Sequence, residues 1–256
     1  MSNLFSIYKR ELKSYFVSPV AYVVLVIFLV LAGYFFTVIV RDFAERSLTM
    51  QAYAQAGLEM NITEWLEGFF ANIAAFILFM LPPLSMRLFS EEKRQGTAEL
   101  LFTYPIRDWE TVLGKYFACL TVFVLMLAAS AVNILIVVKY GDPEFGPIFS
   151  SYLGLLLMGA AFLAVGMFIS SLTENQIIAA VATFGTLLLM WVLHWLARAA
   201  GPKLGGFMEE MSVLRHYYRT FSKGIIEVQD VTYYILFGIF FLFLTLKALE
   251  SKKWRG

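Results

Sequence analysis

The chain has 256 residues, 60% of them hydrophobic and 17% aromatic, with only 15% charged and a formal net charge of +1. That composition excludes an ordinary soluble domain of this size and offers no broad basic surface for nucleic acid; it describes an integral membrane protein.

In chain order, residues 1–18 read as an interfacial helix. At roughly 100° per residue, Leu4, Phe5, Tyr8, Leu12, Tyr15 and Phe16 share one side, and Ser6, Lys9, Arg10 and Lys13 the other. Such a helix lies in the headgroup plane with its cations toward anionic lipid; the alternative is a short helix packed on the protein. Ser18-Pro19 then turns the chain into the bilayer, because the residue before a proline resists the helical region.

A hydrocarbon core takes about 20 helical residues to cross. Uncharged runs near that length occupy residues 19–40, 68–86, 116–138, 149–172 and 177–197. A sixth, starting at 231, has about 24 Å of uncharged helix and takes in flanking residues to about 248. Continuous runs exclude alternating barrel strands, so the predicted fold is an all-α integral membrane protein with six transmembrane helices. The first run exceeds a signal-peptide core and is followed by Tyr34, Phe35 and Phe36 with no small-residue cleavage site, so it is expected to stay as an anchor.

Pro82-Pro83 predict a kink late in the second span. Asn61-Ile62-Thr63 matches a glycosylation sequon by chance, and Gly141-Asp142-Pro143 predicts a turn. Ala160 with Ala164 and Gly166 with Ser170 are small-residue pairs suited to close helix contact.

Six spans put both termini on one side. That side carries 12 Lys/Arg and the other eight, so both ends are placed in the cytoplasm. Residues 198–230, with five of those eight cations, then fall outside, against their local charge.

The sequence has no G-x-x-x-x-G-K-[ST] loop, no H-E-x-x-H, no G-x-S-x-G and no cysteine pair, Cys119 being the single cysteine. Neither catalytic, cofactor nor metal-ligating residues are predicted, and His194 and His216 lack metal-ligand company. The uncharged runs, the sixth taken as 231–246, contain no Asp, Glu, Lys or Arg, which argues against a stand-alone proton-coupled carrier. Asn72, Ser130, Asn133, Thr183 and Thr186 are the polar groups singled out deep within them. Helix-to-helix hydrogen bonds are their expected role, and Asn72 and Asn133 are candidates to line a path.

The polar stretch between spans two and three, SEEKRQGTAELLFTYPI at 90–106, is the most informative. Gly96 offers a joint, Thr97 an N-cap, and Pro105 a stop after Tyr104, which predicts a helix of about two turns, too short to be stable undocked. Leu100, Leu101 and Tyr104 form an apolar edge beside Glu99, suited to a groove with a charged rim, and Asp108 is placed to cap the next helix. Glu91, Glu92, Glu99 and Asp108 exceed what a merely positive inner loop requires.

That stretch resembles the pattern E-E-x-x-x-G-T-x-E-x-L-L-x-x-P-I of the permease subunits of ABC-2 type transporters, matching at Glu91, Glu92, Gly96, Thr97, Glu99, Leu100, Leu101, Pro105 and Ile106. KRELKSYFVSPVAYV is similar to the family's amphipathic connecting helix, and SSLTENQIIAA to its second cytoplasmic loop, at Glu174, Asn175 and Gln176. FSKGIIEVQDVTYY and the C-terminal FLTLKALESKKWRG resemble the gliding-motility-associated branch. The resemblance implies a six-helix exporter subunit in the bacterial inner membrane. It would pair with a second permease subunit and have its coupling helix, within residues 87–115, seated in a cytosolic ABC ATPase that carries the ATP and Mg. The remaining alternatives are a membrane anchor that transmits ATPase work to another partner, and a secondary carrier or channel.

Overall fold

The structure is a computed structural model describing residues 3–50, 62–97 and 107–253. The described residues are helical throughout and contain no strand. The helices are α1 (Asn3–Val17), α2 (Pro19–Met50), α3 (Ile62–Ser85), α4 (Arg87–Arg94), α5 (Asp108–Tyr140), α6 (Phe145–Leu172), α7 (Gln176–Ala199), α8 (Pro202–Met211), α9 (Val213–Arg219) and α10 (Val228–Lys253), with a 3-10 turn at Phe221–Lys223. Six segments are long and apolar enough to cross a membrane: α2, α3 with α4, α5, α6, α7 and α10. Their number agrees with the hydropathy pattern.

Helix ends and apolar limits differ where charge pairs sustain a helix beyond the uncharged run. α2 continues to Met50, helped by Arg41–Glu45 and Asp42–Arg46 pairs one turn apart, at 2.7 and 3.2 Å. α3 runs through Pro82 and Pro83 and breaks at Met86, one turn later, whereupon α4 resumes the helix.

α6 is the central element, packed against α3, α5, α7 and α10. Small residues make this possible. A Cβ on Gly159 would lie 2.2 Å from the buried Phe123 ring, whereas one on Gly146 would meet nothing within 4 Å. We therefore expect Gly159→Ala to destabilise by about 1–3 kcal/mol through overpacking, and Gly146→Ala to be neutral or slightly stabilising. Thermal unfolding of the detergent-solubilised chain checks both.

Of the five polar groups singled out from the sequence, Ser130 bridges two helices, its Oγ lying 3.3 Å from the Tyr152 hydroxyl. Asn72 and Thr186 instead donate back along their own helices, to Gly68 O at 2.7 Å and Ala182 O at 2.8 Å. Thr183 Oγ is buried without a partner, and Asn133 makes no hydrogen bond among the described residues.

α1 packs on α5. Ile7 seats against Gly114, where a Cβ would lie 2.9 Å from Ile7 Cγ2. The Tyr8 hydroxyl lies 3.1 Å from Thr121 Oγ1, and the Tyr15 hydroxyl donates to Leu84 O at 2.8 Å. Ile7 and Tyr15 are buried, whereas Phe5 and Phe16, 39% and 45% exposed, flank this stripe beside Lys9, Arg10 and Lys13. The protein-facing side is thus rotated from the apolar side drawn on the wheel.

At the opposite end, α9 and the 3-10 turn sit over the start of α6, and α8 packs on α7. Ser150 Oγ donates to Phe221 O at 2.6 Å. Asp230, at the start of α10 and fully buried, ties the group together: His216 Nδ1 lies 2.6 Å from Oδ1, Thr220 Oγ1 donates to Oδ2 at 2.5 Å, and Arg219 reaches Oδ1 at 3.4 Å. His216 Nε2 lies 3.2 Å from Glu210 O, and the imidazole stacks on Tyr233.

Candidate functional site

Arg87–Arg94 is strongly charged, yet it forms α4 because its apolar side, Leu88 and Phe89, is buried and its first amides find an acceptor in a distant helix. Ser170 Oγ of α6 accepts the N–H groups of Phe89 and Ser90, both at 3.1 Å, and donates to Met86 O at 2.7 Å. One hydroxyl thereby uses its full capacity of two acceptor sites and one donor, bridging the break after α3. The Lys93 ammonium donates to Ser171 O.

α4 ends in a Schellman motif. Thr97 N–H donates to Glu92 O at 3.0 Å and Gly96 N–H to Lys93 O at 3.1 Å, with Gly96 at φ +68°. A left-handed residue at this position favours glycine, so Gly96 is a fixed cap, not a loose joint. The Thr97 hydroxyl also turns back, to Glu92 O at 3.2 Å. Glu99, Leu100, Leu101, Tyr104, Pro105 and Ile106, with the short helix predicted there, lie outside the described residues.

The carboxylates of α4 have partners within the chain. Glu91 pairs with Arg87 at 3.1 Å. Glu92 pairs with Lys115 of α5 at 2.9 Å and with Arg10 of α1 at 3.5 Å. Lys115, its side chain only 2% exposed, also reaches Glu11 of α1 at 3.2 Å. One buried ammonium therefore joins α1, α4 and α5. Burial pushes the Glu11 carboxyl up, but the Lys115 ammonium and the Arg10 guanidinium outweigh it and hold the group below the ordinary glutamate value.

Lys115, Glu11 and Ser170 were not among the sequence-predicted site residues. Lys115 had a signal: it sits at a core position of α5, in step with the buried Val112, Cys119 and Phe123. The start of α5 also corrects one expectation. Asp108 is the first helical residue, and the cap position falls on Arg107, whose N–H donates to the Glu110 carboxylate at 3.2 Å. A carboxylate three residues into the helix reaches back better than one at its first position.

The α6–α7 turn lies beside the end of α4. Asn175 caps α7, its Oδ1 accepting Ile177 N–H at 2.9 Å and Ile178 N–H at 3.3 Å. Glu174, Asn175, Gln176 and Ile177 line, with Arg94, a hollow of about 500 Å³. Two of the predicted groups, the α4 segment and the second loop, thus meet at one end of the bundle. Asn72 on α3 and Asn133 on α5 are half-buried and are not bonded to each other.

A bundle of six helices long and apolar enough to cross a membrane, with α4 and the α6–α7 turn together at one end, is the architecture of a multi-pass membrane protein. Residues 42–196, more than half of the chain, match the ABC-2 family transporter protein domain, and the chain belongs to that family. No curated protein matches the chain.

Proposed function

We propose that the chain is the membrane permease subunit of an ATP-driven ABC-2 type exporter, working with a separate cytosolic ATPase that carries ATP and Mg, and paired with a second permease subunit. The observation that carries this reading is the convergence of α4 and the Glu174–Gln176 turn on one face, with α4 continuous with span-forming α3. A short docked element transmits force only when rigidly joined to the spans, and the Ser170 bridge and the Lys115 ion cluster supply that rigidity.

In this reading both termini and α4 lie on the cytoplasmic side of the bacterial inner membrane, and α1 lies along the bilayer surface. Glu91 and Glu92 hold the segment in position, while Glu99, Leu100 and Leu101 meet the ATPase, with Gly96, Thr97 and Pro105 setting the limits of the contact. The likeness of residues 221–234 and 243–256 to the gliding-motility-associated branch supports placing residues 198–230 outside.

Co-purification with the ATPase tests the proposal. Glu99→Arg and Leu100→Asp are expected to reduce ATPase retention and ATP-dependent transport at least tenfold, the scale of losing one central interface anchor, while leaving chain folding intact. Unchanged assembly and transport in both variants would sink the reading.

A further inference from the structure

Beside the ion cluster, a separate recess opens between the second half of α1 and the start of α4. Its lining is Arg10, Lys13, Ser14, Val17, Ser18 and Arg87, around a volume of about 470 Å³. The lining includes three cations and two hydroxyls and no carboxylate. Of the nearest acids, Glu11 and Glu92 reach Lys115 as well as Arg10, and Glu91 lies against Arg87 Nε. Arg87 is fixed from three sides: Nε by Glu91, Nη1 by Ser18 Oγ, and its guanidinium over the Tyr15 ring at 5.8 Å. Among the described residues the Lys13 ammonium has no in-chain partner.

A preorganised guanidinium, an unpaired ammonium and neighbouring hydroxyls suit the oxygens of a phosphate ester. The surroundings select the source. Val17, Phe16 and Tyr22 are 75%, 45% and 49% exposed, and the exposed Val23, Val26, Ile27 and Val30 carry the apolar surface onward along α2. A free phosphate has no use for that surface, whereas acyl chains do.

We infer that this recess is a binding site for the headgroup of an anionic phospholipid, whose chains lie against α2. The bound phosphate joins α1 to α4, so the lipid stiffens the same unit that the Lys115 cluster holds from inside. The inference rests on α1 lying at the bilayer surface, as proposed above.

The test uses the full chain in nanodiscs of phosphatidylcholine with and without phosphatidylglycerol, with native mass spectrometry of the retained lipid. The wild type is expected to retain phosphatidylglycerol preferentially. Lys13→Gln and Arg87→Gln are each expected to weaken that preference about fivefold, as for one cation near a charged surface, and added salt to weaken it further. Lys13→Gln should leave the unfolding midpoint in pure phosphatidylcholine unchanged, since its ammonium has no in-chain partner. Equal retention of the two lipids, or a preference untouched by Lys13→Gln, overturns the inference. So does a rise in unfolding midpoint with inorganic phosphate equal to that with phosphatidylglycerol. Phe16→Trp, quenched by brominated chains, separates the two ideas: quenching without headgroup preference removes the recess as a lipid site and leaves α1 at the surface.

Discussion

Lys115→Met is expected to destabilise the chain by about 3–5 kcal/mol, the cost of removing one partner from a buried ion cluster. The ammonium is 2% exposed and lies 3.2 Å from Glu11 and 2.9 Å from Glu92. Without it, Arg10 alone faces both acids, and one Glu92 oxygen is already buried without a hydrogen bond. Lys115→Arg should retain more of the stability than Lys115→Met. Combining Lys115→Met with Glu11→Gln and Glu92→Gln should recover part of the loss, because the charge that then remains unpaired, on Arg10, is exposed to solvent. Alkylation of Cys119, fully buried one helical turn further along α5, measures the opening directly: its rate should rise in Lys115→Met and return toward wild type in the triple variant.

The same cluster sets a pH dependence. The Glu11 carboxyl titrates lower folded than unfolded, since burial, which raises it, is outweighed by Lys115 and Arg10. Its contribution is therefore complete above the ordinary glutamate range and lost as pH falls through the lowered folded value. Glu11→Gln should flatten that part of the acid limb in a series of unfolding midpoints. An unaltered acid limb would exclude the carboxylate as its source.

Asp230→Ala is expected to have an effect of similar size, about 3–5 kcal/mol for a broken buried charged pair. The carboxylate is fully buried and receives Thr220 Oγ1 at 2.5 Å, with His216 Nδ1 at 2.6 Å and Arg219 at 3.4 Å. Truncation removes the carboxylate that His216, Thr220 and Arg219 share, leaving Arg219 only Glu227 and Thr220 only His216 O, and the backbone of α9 has few other ties to α10. The Tyr234 hydroxyl bond to Val213 O at 2.7 Å is one. Limited proteolysis within residues 198–230 should accelerate, while the Cys119 alkylation rate at the far end of the bundle stays near wild type. Asp230→Asn, which keeps an acceptor oxygen, should lose less. Equal stability of Asp230→Ala and wild type would remove the carboxylate as the organiser of this end.

The six spans were legible because a bilayer demands long uncharged runs and little else in a sequence produces them. α4 was not, since RLFSEEKR has no such run and is stabilised by Ser170, some 80 residues away. Periodicity within eight residues cannot reveal an acceptor from another helix. Gly96 was legible as a special position, but its left-handed conformation closes the preceding helix, and the residues after it suggested only a beginning. Lys115 enters the sequence reading only as one of the 12 cations of the inner side. Its burial follows from Glu11 and Glu92 converging on it, a fact of packing that no local window contains. At the other end, five cations within 198–230 looked like a diffuse charge; two of them, Arg215 and Arg219, pair with Glu210 and Glu227 in a compact cap.

The docking of α1 has a consequence for how the chain is made. Tyr8 and Thr121 meet across 113 residues of sequence, so α1 cannot take its final seat until most of α5 has followed it from the ribosome. At about 5–20 residues per second, α1 spends roughly 5–25 s without that partner. In that interval Lys9, Arg10 and Lys13 can hold it to an anionic membrane surface, and the Glu11–Lys115 contact then closes the N-terminal half of the bundle late in synthesis.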